Sequence, residues 1–503
     1  MKLLQHLLCV LLIVVCGFQE LHATHLIGGS LSYEYLGQNP DGTYRYRIFA
    51  TTYTDCGPTS NVPDPEATIP IGIYINDLAA PNANKILASS LVVPLISVEE
   101  IQPELPSSCT VAADVCVREG YYEAFVNLPL NFGGYWLFYD RCCRNDAVVN
   151  LPQQQGVGFT TYIPSPLVVN NSPFFNAPPT PYICAGDTAT FLNTAVDPDG
   201  DLLVFSFIAP LRGYSSAVTP NPGAIGYPNP LNWPVPQVTY SGGYNVNQPF
   251  GTGSYAFING ATGLTQYYAQ NSGQYAVAVE IREYRDGNLI GITRRDLQIL
   301  VINCPPNPPP NITANGSGET IFEVNEGEQI CFPVTVSDQN GDSLIMTSAG
   351  EVFDVAFVDP AATINTPLVG DGMVEADFCW FTSCEQGRDN AYFFSATATD
   401  NGCPPKSANV VYTINVIPFN GSSFIDGGDT ACEFSTETYG TDLFANGDYV
   451  WTVSGGTIIN GQGTNEIDIE WGPMGVGEIS VTSTNGIGCV GDPFDKEIPI
   501  LPL

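Results

Sequence analysis

Histidine is nearly absent, at 3 in 503 residues, and basic side chains are few. Lys and Arg number 15 against 51 Asp and Glu, a formal net charge of −36. A field of that sign repels phosphate, which excludes a nucleic-acid partner. Charged residues make up only 13% of the chain and methionine numbers 4. That is too little for a coiled coil or a helical bundle. After Phe18 no apolar run is long enough to span a bilayer as a helix. No CxxC pair occurs, and His25 is the one histidine beyond the N-terminal segment. Both absences argue against a zinc knuckle and against Ser/His or Cys/His nucleophilic catalysis. GxSxG, HExxH and P-loop motifs are missing. With so many carboxylates, some pair always falls at glycosidase spacing, so such spacing carries no signal. The chain reads as non-enzymatic.

What is present points to strands. Apolar residues reach 44% and aromatics 11%, too many for a disordered chain. Gly (50) and Pro (41) punctuate runs rich in Val, Tyr, Thr and Ile, as in short strands joined by tight turns. The expected class is all-β: tandem immunoglobulin-like or cadherin-like β-sandwich domains behind a signal peptide. Lys2, the apolar run Leu3–Phe18 and the small-residue site Leu21-His22-Ala23 make that signal, residues 1–23. The mature chain is therefore expected to be secreted or held at the outer cell surface, with no transmembrane span. Cys9 and Cys16 leave with the signal. The remaining cysteines suit separate disulfides in an oxidising compartment. The expected pairs are Cys184–Cys304, Cys331–Cys379, Cys384–Cys403 and Cys432–Cys489. Cys56, Cys109, Cys116, Cys142 and Cys143 form an odd set, which leaves one thiol free or paired with another chain. The adjacent Cys142 and Cys143 are expected in two separate disulfides from opposite faces of one strand.

Four units follow the signal. An N-terminal β domain covers 24–163, with strands at Tyr44–Ala50, Glu123–Leu128 and Tyr135–Tyr139. A β-sandwich with an acidic loop covers 164–304 and ends in a long hairpin. There Tyr275, Val277, Val279 and Ile281 alternate with Ala276, Ala278, Glu280 and Arg282. The chain turns at Arg285-Asp286-Gly287-Asn288 and returns along Leu297–Ile302. Thr219–Pro236 reads as a surface loop. Residues 305–310 are a stiff proline-rich linker. The third unit, 311–418, repeats the plan of the second: a strand at Cys331–Val336, an acidic loop, and a hairpin of Tyr392–Thr399 with Val410–Val416. The fourth, 421–503, has strands at Tyr449–Val453, Glu466–Trp471 and Glu478–Thr482.

Several motifs carry a resemblance. Thr24-His25-Leu26-Ile27-Gly28-Gly29-Ser30 is similar to the mature start of a Bacteroidetes family of secreted, gliding-motility-associated surface proteins. In that family the start is followed by a tyrosine-rich strand and a "YRDC"-like element, the latter standing here as Tyr53-Thr54-Asp55-Cys56, with Thr for Arg. Its "CCRN" element is Cys142-Cys143-Arg144-Asn145, and its "DPDGD" loop is Asp197-Pro198-Asp199-Gly200-Asp201. Its "EYRNG…RD.Q" hairpin runs from Glu283-Tyr284-Arg285-Asp286-Gly287 to Arg295-Asp296-Leu297-Gln298. These cover roughly residues 24 to 418. The last unit resembles a PKD-like, immunoglobulin-type domain through Tyr449–Gly456, Trp471-Gly472 and Gly488-Cys489. The resemblance implies gliding or surface adhesion. It also implies a C-terminal sorting domain read by the type IX secretion system, and no such segment is seen up to Leu503.

Two acidic glycine loops are the strongest chemical signal. Asp197, Asp199 and Asp201 stand at i, i+2, i+4, as do Asp338, Asn340 and Asp342. Alternate oxygens around a glycine wrap a hard cation, and Ca²⁺ takes six to eight such ligands. Neither loop is an EF-hand; the pattern resembles the calcium loops of cadherin-type sandwiches. Glu283 is expected to complete the first site, and Asp400 and Glu326 the second. The competing reading is a polar turn. Trp233, between Asn232 and Pro234, is the candidate for stacking on a sugar, against the alternative of a packed loop anchor. The pairs Arg141/Arg144 and Arg294/Arg295 read as local partners of the acidic surface. The function expected is a stalk or adhesin that presents loops to a cell-surface or extracellular protein or glycan, with structural Ca²⁺. The alternative is a secreted polysaccharide-binding or polysaccharide-degrading protein.

Overall fold

A computed structural model describes residues 26–56, 65–101, 109, 116–144, 147–153, 155–175, 177, 182–214 and 227–503. The expected signal peptide, residues 1–23, lies outside them, as do Thr24, His25, Asn145 and the first part of the Thr219–Pro236 loop. Among the described residues, apart from one turn of 3-10 helix, Glu351–Phe353, every regular element is a strand. The chain separates into two compact units: residues 1–307 with 401–407, and residues 308–400 with 408–503. The boundary at Asn307 falls inside the proline-rich linker.

The first unit opens with seven strands: β1 (Leu26–Gln38), β2 (Tyr44–Asp55), β3 (Thr68–Ile75), β4 (Ile86–Ile101), β5 (Val117–Leu128), β6 (Tyr135–Arg141) and β7 (Val157–Ile163). Then come β8 (Phe174–Phe175), β9 (Ile183–Cys184), β10 (Thr188–Leu192), β11 (Ala195–Val196), β12 (Leu202–Ile208), β13 (Tyr255–Ile258), β14 (Leu264–Tyr268), β15 (Gly273–Arg285) and β16 (Asn288–Ile302). The first seven pair in the order β1-β2-β5-β4-β3-β6-β7. Both ends of that path meet β16: Ile292 and Thr293 oppose β7, while Arg295 and Asp296 oppose β1. The sheet therefore closes into a roll. Alternation explains its filling. On β2, Tyr44, Tyr46, Ile48 and Ala50 point inward and join Leu31, Tyr33, Ile71, Leu137 and Phe159 in one core. Gly28 permits the closure, because a Cβ there would run into the Asp296 carbonyl oxygen.

β16 is shared with the second half of the unit. Its other edge carries β15, which pairs in turn with β12. The Asp286-Gly287 turn has both residues at positive φ (51° and 73°), as a two-residue hairpin requires. On β15 both faces are buried, Ala276 and Glu280 as fully as Tyr275 and Val277. Its alternation thus separates two interiors rather than core from solvent. Against one of them packs the sheet β10-β14-β13, through Phe191, Tyr267, Tyr275 and Leu297.

The second unit holds two sandwiches. The first sets β17 (Asn311–Ala314), β19 (Gln329–Ser337) and β22 (Met373–Phe381) against β18 (Ile321–Asn325), β24 (Ser407–Ile417), β23 (Tyr392–Asp400), β20 (Ser343–Gly350) and β21 (Leu368–Asp371). Phe332, Phe378, Phe394 and Tyr412 stack at its centre. The second sets β25 (Ala431–Cys432), β31 (Phe494–Leu501), β30 (Gly475–Ser483) and β27 (Tyr449–Ser454) against β26 (Thr436–Gly440), β29 (Glu466–Trp471) and β28 (Gly456–Asn460). Trp451 and Trp471 fill its core.

Six disulfides join described cysteines. Cys184 is bonded to Cys304, Cys331 to Cys379 and Cys56 to Cys116. Two expected pairs are corrected. Cys403 lies in the 401–407 segment that groups with the first unit, and it bonds Cys109 instead of Cys384. Cys489, fully buried, bonds Cys384, which leaves Cys432 exposed and free. The odd thiol is thus Cys432 and not one of the N-terminal set. Cys142 and Cys143 bond each other rather than two distant partners. They follow the end of β6, where strand alternation no longer sends neighbours to opposite faces.

Candidate cation site

The turn from β11 to β12 carries Asp197, Asp199 and Asp201. Asp197 Oδ1 accepts the backbone N–H groups of Asp199 at 2.8 Å and Asp201 at 3.3 Å, and Gly200 supplies the positive φ that closes the turn. A polar turn accounts for that oxygen only. Asp197 Oδ2 is buried without a partner. Facing it is Glu283 of β15, which stands opposite Leu203 of β12 and is fully buried. Its carboxylate lies beside Asn170 and Asp201, but neither oxygen completes a hydrogen bond. Gly291, opposite Glu283 on β16, makes the room: a Cβ there would collide with Glu283 Oε2. One carboxylate oxygen from each of Asp197, Asp199, Asp201 and Glu283 falls within 4.8 Å of the other three.

Burial pushes Glu283 up to about 10, with repulsion from Asp197 adding to it. Burial also raises Asp197 to about 7, against the lowering effect of its two backbone donors. Buried carboxylates with unpartnered oxygens are costly unless a proton or a cation joins them. The donor set is all oxygen, four carboxylates, and suits a hard cation such as Ca²⁺. One cation is already close. Arg285 grips Asp201 through Nε at 2.8 Å and Nη2 at 2.6 Å, and approaches Asp199 at 3.5 Å. The sequence reading named the four acids but gave no role there to Arg285, to Gly291, or to Asn171, whose backbone N–H donates to Asp199 Oδ2 at 2.6 Å. The one sequence cue was a basic residue two positions after Glu283.

The second loop makes the same turn. Asp338 Oδ1 accepts from Asn340 N at 2.8 Å and Asp342 N at 2.9 Å, and Asp338 Oδ2 is likewise buried and unpartnered. Asp400 stands opposite Leu344 as Glu283 stands opposite Leu203, with a side chain one methylene shorter. The carboxylates of Asp338, Asp342 and Asp400 do not gather within 4.8 Å of one another. Glu326 does not belong with them: its Oε2 accepts from Gly387 N and its own N–H bonds Ile417 O. It precedes β19 whereas Asp338 follows it, so the nine residues of that strand hold the two at opposite ends, about 30 Å apart. Among the described residues one further ligand-type group exists, Cys56, Glu100 and Cys116, and both its sulfurs are spent on a disulfide.

Trp233 is a packed anchor. Its ring lies 4.4 Å from that of Trp136, with Lys85 Nζ 5.2 Å from its centroid. Leu231, paired with Lys85, pins the loop down. Of the arginine pairs, Arg141, Arg144 and Arg295 are buried rather than surface groups, and Arg294 is half-buried. Arg144 holds Asp296, Arg141 holds Glu66 and Arg294 holds Glu280. Arg295, 1% exposed, lies over the rings of Tyr53 and Phe175.

Residues 418–493 match the family model of a PKD-like domain. No curated protein matches the chain. Solved structures with some likeness include mouse clustered PcdhgC3 EC1-3, at 14% identity and a TM-score of 0.22 over 49% of this chain and 85% of that one. Drosophila N-cadherin EC1-4 is 11% identical, with a TM-score of 0.21 over 89% and 96%. Human CDH23 EC21-23 is 13% identical, with a TM-score of 0.19 over 61% and 91%. TM-scores this low carry no argument. The all-β fold stands on the chain's own sheets and, for its last domain, on the PKD-like match.

Proposed function

We propose that the chain is a non-enzymatic, extracellular modular protein of adhesion type, a braced β scaffold that presents loops to a surface protein or glycan. The observation that carries the reading is the set of six disulfides, which belongs to an oxidising compartment. No helix among the described residues is long and apolar enough to cross a membrane. The motif resemblance supports a place among Bacteroidetes gliding-motility-associated surface proteins, with export behind the N-terminal signal. Ca²⁺ at Asp197, Asp199, Asp201 and Glu283 stiffens the first unit; the Asp338 loop is a weaker second candidate. Immobilised full chain is tested against a glycan array and against whole cells, with Ca²⁺ and with EDTA. Retention without turnover supports the reading. Release of reducing sugar, abolished by a single Asp→Asn or Glu→Gln change, overturns it in favour of a polysaccharide-degrading enzyme.

A further inference from the structure

We propose that Arg285 is the built-in competitor of the cation at this cluster: it holds Asp201 and Asp199 in the cation-free protein, and cation uptake draws those carboxylates away from it. The inference rests on the cation reading of the Asp197–Glu283 cluster and adds its regulation. The guanidinium divides the four acids unequally. Its fork is bidentate on Asp201, at 2.8 and 2.6 Å, and reaches Asp199 at 3.5 Å. Asp197 Oδ2 and both Glu283 oxygens receive nothing from it. The inner half of the cluster is therefore left for another cation, while the outer half is occupied. Ca²⁺ needs six to eight oxygens. To use all four carboxylates it must take Asp201 and Asp199 from a fork whose geometry already suits them. A positive charge this close lowers cation affinity whether or not it leaves.

Displacement has a path outward. Arg285 also donates to Val169 O at 2.8 Å and to Asn170 Oδ1 at 3.0 Å. Asn171 donates to Asp199 through its backbone N–H at 2.6 Å and its side-chain amide at 2.8 Å. The same short segment is sewn to β1: Asn170 Nδ2 donates to Tyr33 OH at 3.0 Å, Tyr35 N to Asn171 Oδ1 at 2.9 Å, and Tyr33 N to Ser172 Oγ at 2.7 Å. Cation occupancy is thereby coupled to how firmly residues 169–172 are clasped to the rolled sheet.

The test is calorimetric titration of the full chain with Ca²⁺ for the wild type, Arg285→Gln, Arg285→Lys and Glu283→Gln, each checked for folding by circular dichroism. Hydrogen exchange of residues 169–172 is followed alongside. Expected are a Kd about tenfold or more tighter in Arg285→Gln, a near-wild-type Kd in Arg285→Lys, and loss of binding in Glu283→Gln. Ca²⁺ speeds exchange at 169–172 in the wild type, and Arg285→Gln shows that faster exchange before any metal is added. Wild-type binding that Arg285→Gln leaves unchanged or weakens overturns the competitor role alone. Silence of both the wild type and Arg285→Gln takes down the cation reading with it.

Discussion

Arg144 and Asp296 stand 152 residues apart in the chain and grip each other through a two-pronged hydrogen bond, Nη1 lying 2.6 Å from Oδ1. Both are almost wholly buried. One comes from the Cys-Cys-Arg-Asn motif and the other from the Arg-Asp-Leu-Gln motif, so two elements of the family resemblance meet as a single brace on β16. Burial raises the Asp296 carboxyl above its ordinary range, and Arg144 partly offsets that. Removing Arg144 leaves a buried, unpaired acid. Arg144→Met is expected to cost about 3–5 kcal/mol, and a double replacement of both partners by apolar residues is expected to recover most of it. Denaturant unfolding of the two variants checks this; a double variant that loses as much as Arg144→Met, or more, would show that the cost does not come from an uncompensated Asp296.

Gly291→Ala is expected to act on the cation response more than on the fold. The added methyl displaces the end of the Glu283 side chain, which flexes more cheaply than backbone. The melting temperature in EDTA should fall by only a few degrees, on the order of 1 kcal/mol, while the rise on adding Ca²⁺ should largely vanish. Thermal scans with and without Ca²⁺ measure both.

Acidity should stabilise the cation-free first unit. Glu283 is raised from its ordinary 4.5 to about 10, and Asp197 from 3.8 to about 7. Between the ordinary and the raised value the unfolded chain loses a proton that the folded site keeps, so stability falls as pH rises. The fall should begin above pH 4, with Asp197 contributing up to about 7 and Glu283 up to about 10. Melting in EDTA across pH 5 to 9 should show it, and Glu283→Gln should flatten most of it. With Ca²⁺ present the cation replaces the protons, and affinity should grow with pH.

Alkylation of the native, unreduced protein should label Cys432 and no other described cysteine. Peptide mapping should recover Cys109 linked to Cys403 and Cys384 linked to Cys489. Replacing both Cys384 and Cys489 by Ser should cost about 2–4 kcal/mol in the second unit. A labelled Cys384 or Cys489 in the native protein would contradict the pairing.

The sequence carried the strands well where one face meets a core and the other meets water. Tyr449–Val453 shows this, because period two is a local signal, and the Asp-Gly turn placed the Tyr275–Ile302 hairpin even though both faces of β15 are buried. Closure of the roll was not legible. Strands such as β2 and β5 are joined across a long intervening stretch, and β4 exposes Val92 and Ile96 on its outer face, so its composition does not mark an interior. The acidic cluster was half legible. Spacing at i, i+2, i+4 found Asp197, Asp199 and Asp201, and the motif run supplied Glu283. It could not tell that Glu326 sits at the wrong end of β19, since separation along a chain does not say which end of a strand a residue occupies.

The bond between Cys109 and Cys403 imposes an order of events. Its two sulfurs are 294 residues apart, so an emerging chain must carry Cys109 unsealed until β23 and the turn after it have been made. Through that interval Cys116, Cys142 and Cys143 are nearer candidates for it. Correct assembly therefore depends on those neighbours being taken first, and a catalyst of thiol exchange would shorten the wait.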